Sequence, residues 1–194
     1  MPERARQFLG RQEFYAWAAT QPVRYELVDG EPVMMAGANC RHDRIAGNAF
    51  RLIANHLQGQ RCHPFTSDTY VSIPAGNARQ PDLGVDCGPF VDDSLEAAEP
   101  VLAVEILSPT TRAFDRNDKL EEYKTVPSLE YILLIDPDAP QVRLYRRNAG
   151  REWESERLTG LEAVLEMALL ALRLGLADLY ANLTFRPRPT LVEL

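Results

Sequence analysis

Glu105 is the residue in this sequence whose position is hardest to explain without a function. It lies in the apolar segment 101–107, which predicts a strand buried on both faces. A buried carboxylate is strongly unfavourable unless a cation faces it. A structural ion pair, or a strand with one face in water, would also satisfy Glu105. The functional interpretation is favoured because a second carboxylate is placed to join it.

That second carboxylate is Asp82, at the start of a short strand predicted over residues 81–86. A Pro-Asp pair by itself is ordinary turn chemistry. Two adjacent strands that each present an acid at the same end, however, form a compact oxygen site for a hard dication. Mg²⁺ prefers one or two carboxylates together with water and phosphate oxygens. We therefore expect Asp82 and Glu105 to bind Mg²⁺, for which Mn²⁺ is a possible substitute.

A predicted helix over residues 115–125 carries the third candidate group. Asp115, Lys119 and Tyr123 are spaced four apart, so they share one face of that helix. The loop at 108–111 can bring this face over the end of the sheet, where Lys119 would supply a cation to the two acids. An exposed ion pair of Asp115 and Lys119, worth about 0.3–0.5 kcal/mol, explains the same spacing equally well.

The surrounding pattern predicts the elements that position these groups. Strands interspersed with helices predict an α/β fold, more closely an α+β fold with a mixed sheet. The 194 residues predict a single domain with a core at about 8–183 and a short tail at 184–194. Helices are predicted at 12–20 and 42–57, and a strand and a helix near 176–183. Asp29-Gly30 predicts a hairpin turn between strands at 24–28 and 32–35. Further strands are predicted at 69–73, 131–135 and 142–146.

The charge of the chain restricts its partners. A net charge of −7 argues against a tight, nonspecific nucleic-acid binder, although not against an enzyme that holds a metal ion. One candidate basic patch, or equally a solvated hairpin edge, is formed by Arg143, Arg146, Arg147 and Arg151. The charged N-terminus lacks the apolar stretch of a signal peptide, and no run reaches the ~18 apolar residues of a membrane span. We therefore expect a cytoplasmic protein with no membrane partner.

The three cysteines are odd in number and far apart, which favours free thiols in a reducing compartment over a disulfide scaffold. A zinc site is also conceivable, but the Cys-x-x-Cys spacing typical of zinc sites is absent. The residues that would have to form it are Cys40, His42, Cys62, His63 and Cys87.

Several of these segments, in order and over residues 8–183, resemble the Uma-two family of restriction-endonuclease-like proteins, relatives of the PD-(D/E)xK nucleases. The specific parts are the segment EILSPTT at 105–111 and the helix motif D-x-x-x-K-x-x-x-Y at 115–123. The remaining matches are YELVDG at 25–30, His42, Pro81-Asp82, Glu130-Tyr131 and Asp136-Pro137.

The resemblance implies a restriction-endonuclease-like core, a sheet flanked by helices, with Asp82 and Glu105 as metal ligands. Most PD-(D/E)xK nucleases carry a lysine two residues after the acid, and Leu107 stands there in this chain. Similar proteins place a lysine on the following helix instead, which Lys119 matches. Glu26 and His42 match positions near the family's site.

The resulting hypothesis is metal-dependent hydrolysis of phosphodiester bonds in DNA. The backbone carbonyl of Ile106 would complete the metal site, and Lys119 would orient the attacking water or offset charge on the phosphate. Glu26 would support the site or a second metal, and Tyr123 would position Lys119 or contact a phosphate. We expect a homodimer, because cutting duplex DNA needs two sites.

Two other classes of function stay open on the sequence. One is a catalytically silent nuclease-fold module that binds nucleic acid or protein. The other is a structural or assembly protein in which Glu105 is merely paired with Lys119.

Overall fold

The structure is a computed structural model that describes residues 8–35, 37–107 and 118–185. Its elements begin with a helix and a hairpin, which pack on each other, and continue with a long helix that leads into the central sheet. These are α1 (Arg11–Ala18), β1 (Tyr25–Val28), β2 (Glu31–Met34) and α2 (Cys40–Leu57).

The remaining described elements are mostly strands. In chain order they are β3 (His63–Thr66), β4 (Val71–Ser72), β5 (Ala78–Arg79), β6 (Leu83–Asp86), β7 (Pro100–Ile106), α3 (Leu120–Thr125), β8 (Tyr131–Asp136), β9 (Gln141–Arg147), β10 (Trp153–Thr159), β11 (Val164–Met167), β12 (Leu172–Gly175) and α4 (Leu176–Leu179).

A six-stranded mixed sheet in the order β10-β9-β8-β7-β6-β3 forms the centre of the fold. Strands β7 and β8 are parallel, and their other neighbours pair antiparallel. A four-stranded sheet in the order β2-β1-β5-β4 lies beside it, and β11 and β12 form a separate pair. The predicted α/β class with a mixed sheet is confirmed. Within the described ranges, no helix is long and apolar enough to cross a membrane.

Strand β7 is buried on both faces, as its apolar sequence predicted. Leu102, Val104 and Ile106 belong to the core cluster that contains the apolar face of α2. Ala103 and Leu107 belong to the cluster that contains residues of α3. Because side chains alternate along a strand, Glu105 points to the α3 face of the sheet.

The hairpin predicted from Asp29-Gly30 is present. Both residues have positive φ, 49° and 80°, as a two-residue turn of this kind requires. Leu27 of β1 also pairs with Ala78 of β5, which joins the hairpin to the segment that leads to Asp82. The turn therefore fixes the register that brings Glu26 to the site.

The cysteine prediction was wrong in one respect: Cys62 and Cys87 form a disulfide, and Cys40 is free and exposed. The reason is the pairing of β3 with β6, which is antiparallel and matches His63 with Asp86. The next pair in that register is Cys62 and Cys87, although 25 residues separate them in sequence. This pairing also removes both thiols from the set of possible zinc ligands.

Gly84, in the middle of β6, leaves no room for a side chain. A Cβ added there would lie 2.3 Å from the Phe65 ring and 2.6 Å from the carbonyl oxygen of Leu102. We expect Gly84→Ala to reduce the free energy of unfolding by about 1–3 kcal/mol, because overpacking forces neighbours to shift. Urea denaturation measures this change.

Gly47 supplies the matched control, since a Cβ there meets nothing within 4 Å and the residue lies inside α2. Gly47→Ala should instead stabilise the protein by roughly 0.5–1 kcal/mol, because alanine favours helix over glycine. Equal stability of Gly84→Ala and the parent protein would contradict the packing of Phe65 on β6.

Candidate active site

Asp82 and Glu105 lie at the same end of two adjacent strands. Leu83 pairs with Val104, so the next pair in that register is Asp82 and Glu105. Oδ2 of Asp82 accepts a 2.7 Å hydrogen bond from the backbone N–H of Ile106 and lies 3.1 Å from Nε2 of His42. These contacts fix the Asp82 carboxylate against the end of β7.

The carbonyl of Ile106 points toward the same side as Asp82. The N–H of Leu107 donates to the carbonyl of Ile135 on β8. In a trans peptide the C=O and N–H of one unit point in opposite directions. The Ile106 carbonyl therefore points away from β8, which is the direction of β6 and Asp82.

Glu105 is 5% exposed and is held by the helix segment that packs over it. Its Oε1 accepts hydrogen bonds from Nζ of Lys119 at 2.9 Å and from the hydroxyl of Tyr123 at 2.7 Å. Burial, and then the negative charges of Glu105 and Glu26, raise the pKa of Tyr123 well above its ordinary value. Tyr123 is thus a neutral donor to Glu105 at any physiological pH.

Glu26 enters the site from β1. Its Oε1 lies 3.0 Å from Nζ of Lys119 and accepts the backbone N–H of Gln80 at 2.9 Å. Lys119, itself 5% exposed, therefore bridges Glu26 and Glu105. A long side chain that is buried between two carboxylates is held in one position, unlike a surface lysine.

Arg79 belongs to the same network and was not among the predicted site residues. It is fully buried, donates to Glu26 at 3.2 Å and forms a two-point contact with Glu122 at 2.6 and 2.8 Å. Burial acts to lower its pKa, but the hydrogen bond to Glu122 and the charges of both glutamates outweigh it and raise the pKa above its ordinary value. Asn77 adds a hydrogen bond to Glu122 at 2.9 Å.

Two signals in the sequence pointed toward these missed residues. Arg79 is a charged residue beside Ala78, in the segment directly before Pro81-Asp82. Glu122 is three residues after Lys119, a spacing that places the two on neighbouring positions of a helix. The pairing of Arg79 with Glu122 depends on the approach of β5 to α3, which no local spacing encodes.

His42 faces Asp82 because of the way α2 begins. The side chain of Asn39 caps the helix by accepting the backbone N–H groups of Arg41 and His42, which sets His42 in the first turn. Burial acts to lower the pKa of His42, but the hydrogen bond and the charge of Asp82 outweigh it, so the pKa lies above the ordinary 6.5. His42 is therefore part of the site and not an isolated surface histidine.

The donor set suits a hard dication. Among the described residues, four carboxylates share this region with Arg79, Lys119 and His42, and carboxylate oxygens are ligands that a hard dication takes. The carboxylates are those of Glu26, Asp82, Glu105 and Glu122, and the cations are Arg79 and Lys119.

Any metal here would be held by few protein ligands. Within the described ranges, no three His, Cys, Asp or Glu side chains form a ready metal cage. Two carboxylates and one backbone carbonyl, completed by water, are an arrangement that Mg²⁺ accepts. The residues that fit this description are Asp82, Glu105 and Ile106.

The predicted site residues form two neighbouring sets at the ends of β6 and β7. In one set His42 contacts Asp82. In the other, Lys119 and Tyr123 contact Glu105, and Lys119 also contacts Glu26. Asp115 lies outside the described residues.

The arginine-rich segment agrees better with a hairpin edge than with a free basic patch. Arg146 pairs with Glu156 at 2.5 Å, and Arg151 pairs with Glu130. Arg147 donates to the backbone carbonyls of Leu129 and Lys124.

Comparison with known proteins identifies a family and relatives to which this chain is similar. The Uma2 family, described as "Putative restriction endonuclease", matches residues 11–178. The uncharacterized protein slr1290 of Synechocystis sp. is 30% identical over 179 residues, which cover 91% of this chain and 94% of that protein. A second Synechocystis protein, sll1609, is 31% identical over 170 residues, covering 86% and 93% of the two chains.

One solved structure is similar over nearly its whole length. It is a crystal structure from Anabaena variabilis described as a "putative nuclease", with a TM-score of 0.72 and 22% sequence identity. The match covers 89% of this chain and 98% of that one. At this level of identity the likeness establishes a shared fold.

Proposed function

This chain belongs to the Uma2 family of restriction-endonuclease-like proteins, and on that premise we propose that it is a metal-dependent nuclease that hydrolyses phosphodiester bonds in DNA. The observation that carries the proposal is the convergence of Asp82, Glu105 and the Ile106 carbonyl at the end of two adjacent strands. These three groups would hold Mg²⁺, or Mn²⁺ in its place.

A dication bound there supplies Lewis-acid polarisation of the phosphate and a more acidic bound water. The chain's own residues prepare the site for it. Ile106 N–H and His42 fix one oxygen of Asp82. Lys119 and Tyr123 fix one oxygen of Glu105. Side chains held this way need little rearrangement when charge develops on the substrate.

Lys119 has two tasks in this proposal. Its ammonium group holds Glu105 and Glu26 in place, and it provides a positive charge beside the substrate phosphate. The lysine that PD-(D/E)xK nucleases usually carry on the strand is replaced here by Leu107, which packs in the α3-side core. The positive charge of a lysine therefore reaches Glu105 from the side of α3 instead of from the strand.

The proposal extends to the substrate and the assembly. Because the net charge of −7 repels DNA phosphates, the chain would bind DNA through a local surface and through the metal. Cutting both strands of a duplex requires two sites, so we propose a homodimer as the active form.

Incubation with supercoiled plasmid in Mg²⁺ or Mn²⁺ tests the proposal. We expect nicked and linear products with metal and none with EDTA. Lys119→Met should lower the rate by about 100-fold, the loss typical of removing one preorganised electrostatic group. Circular dichroism of each variant must show a folded chain at the assay temperature.

Lys124→Met is the matched control, because Lys124 lies on the same helix but pairs with the exposed Glu121 at 2.7 Å. It should cleave at the parent rate. A parent protein that leaves plasmid intact at every metal concentration would refute the nuclease proposal. A Lys119→Met variant as active as the parent would refute the role given to Lys119.

A catalytically silent module is the second candidate, favoured by one observation. Lys119 already contacts both Glu105 and Glu26, as a purely structural cation would. Thermal stabilisation by Mg²⁺ without any cleavage would identify this class. If the protein has only a structural role, Glu105→Gln combined with Lys119→Met should fold and leave every activity unchanged.

A further inference from the structure

Arg24 is a half-exposed cation that the proposed mechanism does not use. It directly precedes β1, and Glu26 lies two residues further on, so alternation along the strand places both side chains on the same face of the hairpin. The N–H of Met35 donates to the carbonyl of Arg24, which extends the pairing of the hairpin to this residue. Arg24 therefore belongs to the face of the hairpin that carries Glu26 into the site.

The guanidinium of Arg24 is held against the turn that follows β3. Its Nη1 donates to the hydroxyl oxygen of Ser67 and, at 3.2 Å, to the carbonyl oxygen of the same residue. Thr66 pairs with Leu83, so Ser67 follows at the end of β3 that lies beside Asp82. Arg24 therefore approaches Asp82 from the β3 side, with Ser67 between them.

Ser67 also shares the face of the central sheet to which Glu105 points. Phe65 belongs to the core cluster that contains residues of α3. Because side chains alternate along a strand, Ser67, two residues after Phe65, turns to the same face. The Ser67 hydroxyl and the Arg24 guanidinium thus lie at the edge of the proposed active site.

The electrostatics around Arg24 suit an added anion. Its side chain is 47% exposed and lies 3.8 Å from a carboxylate oxygen of Asp68, whose side chain is 83% exposed. Exposed pairs of this kind contribute little, so the guanidinium can turn to a phosphate at small cost. Burial lowers the pKa of His42, Asp82 raises it by more, and the positive charge of Arg24 is among the smaller effects that lower it. The charge of Arg24 therefore reaches the side chain that contacts Asp82.

We propose that Arg24 and the Ser67 hydroxyl bind a phosphate of the substrate strand, close to the phosphate at the metal. The proposal rests on the nuclease function above, because it takes the strand at Asp82 to be DNA. The guanidinium offers a planar set of donors that matches phosphate oxygens. A hydroxyl that accepts one hydrogen bond still has its own proton to donate.

The spacing of the sheet agrees with the spacing of nucleotides. Neighbouring strands lie about 4.8 Å apart, and successive nucleotides of one DNA strand rise about 3.4 Å each. Ser67 is therefore on the order of one or two nucleotides from Asp82 along a bound strand. The substrate strand would cross the end of the sheet from β7 over β6 to β3.

The salt dependence of DNA binding tests the inference, because each phosphate contact adds to it. The probe is a fluorescent twelve-base-pair duplex of mixed sequence, measured by anisotropy in EDTA between about 50 and 200 mM KCl. The logarithm of the binding constant falls with the logarithm of the salt concentration by about 0.9 per contact. We expect Arg24→Gln to reduce this slope by about 0.9 and to weaken binding about 10-fold at the lowest salt concentration.

Arg61→Gln is the matched control, since it removes the same charge. Arg61 also pairs with an exposed carboxylate, that of Glu99 at 3.1 Å, and its side chain is 74% exposed. It precedes β3, however, and so lies at the opposite end of that strand from Ser67. The slope for Arg61→Gln should equal that of the parent protein.

Two further variants separate phosphate binding from a structural role. Arg24→Lys should keep the parent slope, because lysine binds phosphate as a point charge. Ser67→Ala should weaken binding about 5-fold with the slope unchanged, because it removes one neutral hydrogen bond and no charge. An arginine that only fastened the turn after β3 would show another pattern, in which Arg24→Gln and Arg24→Lys both lower the melting temperature and neither changes the slope.

Four results would overturn the inference. They are an unchanged slope for Arg24→Gln, an equal change for Arg61→Gln, a Ser67→Ala variant that binds as tightly as the parent, and no binding of the duplex by the parent. Because these measurements use no metal, they are separate from the nuclease proposal. Plasmid cleavage by the parent with an unchanged slope for Arg24→Gln would reject only the phosphate contact. A reduced slope without plasmid cleavage would support the contact and reject only the cleavage.

Discussion

Replacing Asp82 with asparagine is expected to slow metal-dependent cleavage by about 10³-fold, which corresponds to about 4 kcal/mol of lost transition-state stabilisation. Asparagine has the size of aspartate, and its amide oxygen can still accept the N–H of Ile106. The change therefore removes the negative charge that would bind the dication and leaves the local packing in place. Initial rates of plasmid nicking over a range of Mg²⁺ and Mn²⁺ concentrations measure the effect.

A thermal melt gives a second measurement that does not depend on turnover. A ligand that binds the native state raises the melting temperature, so Mg²⁺ or Mn²⁺ should stabilise the parent protein and not Asp82→Asn. Asp178→Asn is the control with the same change of charge, because Asp178 is exposed on α4. It should match the parent in rate and in metal response. Full activity of Asp82→Asn would exclude Asp82 as a metal ligand.

Replacing Arg79 with methionine is expected to destabilise the fold by about 3–5 kcal/mol, the usual consequence of removing one partner of a buried ion pair. Arg79 is fully buried and serves both Glu26 and Glu122. Methionine fills much of the space but removes the cation that Glu122 contacts and leaves Glu26 with Lys119. Urea denaturation in the absence of metal measures the loss.

Two further variants test whether the loss of stability comes from the buried charge. Arg146→Met breaks an exposed pair with Glu156, in which the side chains are 40% and 46% exposed, and should cost less than about 1 kcal/mol. Adding Glu122→Met to Arg79→Met should recover part of the stability, because one unpaired carboxylate is removed with the arginine. A loss below about 1 kcal/mol for Arg79→Met would mean that water or another cation satisfies both glutamates.

The sequence alone determined the mixed α/β architecture and the group of residues around which the site is built. Glu105 was identifiable because a carboxylate in a strand buried on both faces conflicts with its surroundings. Lys119 and Tyr123 were identifiable because a spacing of four places them on one helical face, and both contact Glu105. The Asp29-Gly30 turn was identifiable because few dipeptides adopt positive φ at both positions. Each of these signals is local, because a few neighbouring residues are enough to recognise it.

Only the tertiary structure decided the contacts between segments that are distant in sequence. The pairing of β3 with β6 joined Cys62 to Cys87 against expectation. The approach of β5 to α3 paired Arg79 with Glu122.

The start of α2 placed His42 opposite Asp82. Such contacts depend on strand order and on helix placement, which the whole core selects and which no local spacing encodes. The result for Glu105 is specific: the sequence showed that a cation must face it, and the fold showed that Lys119 does so while also holding Glu26.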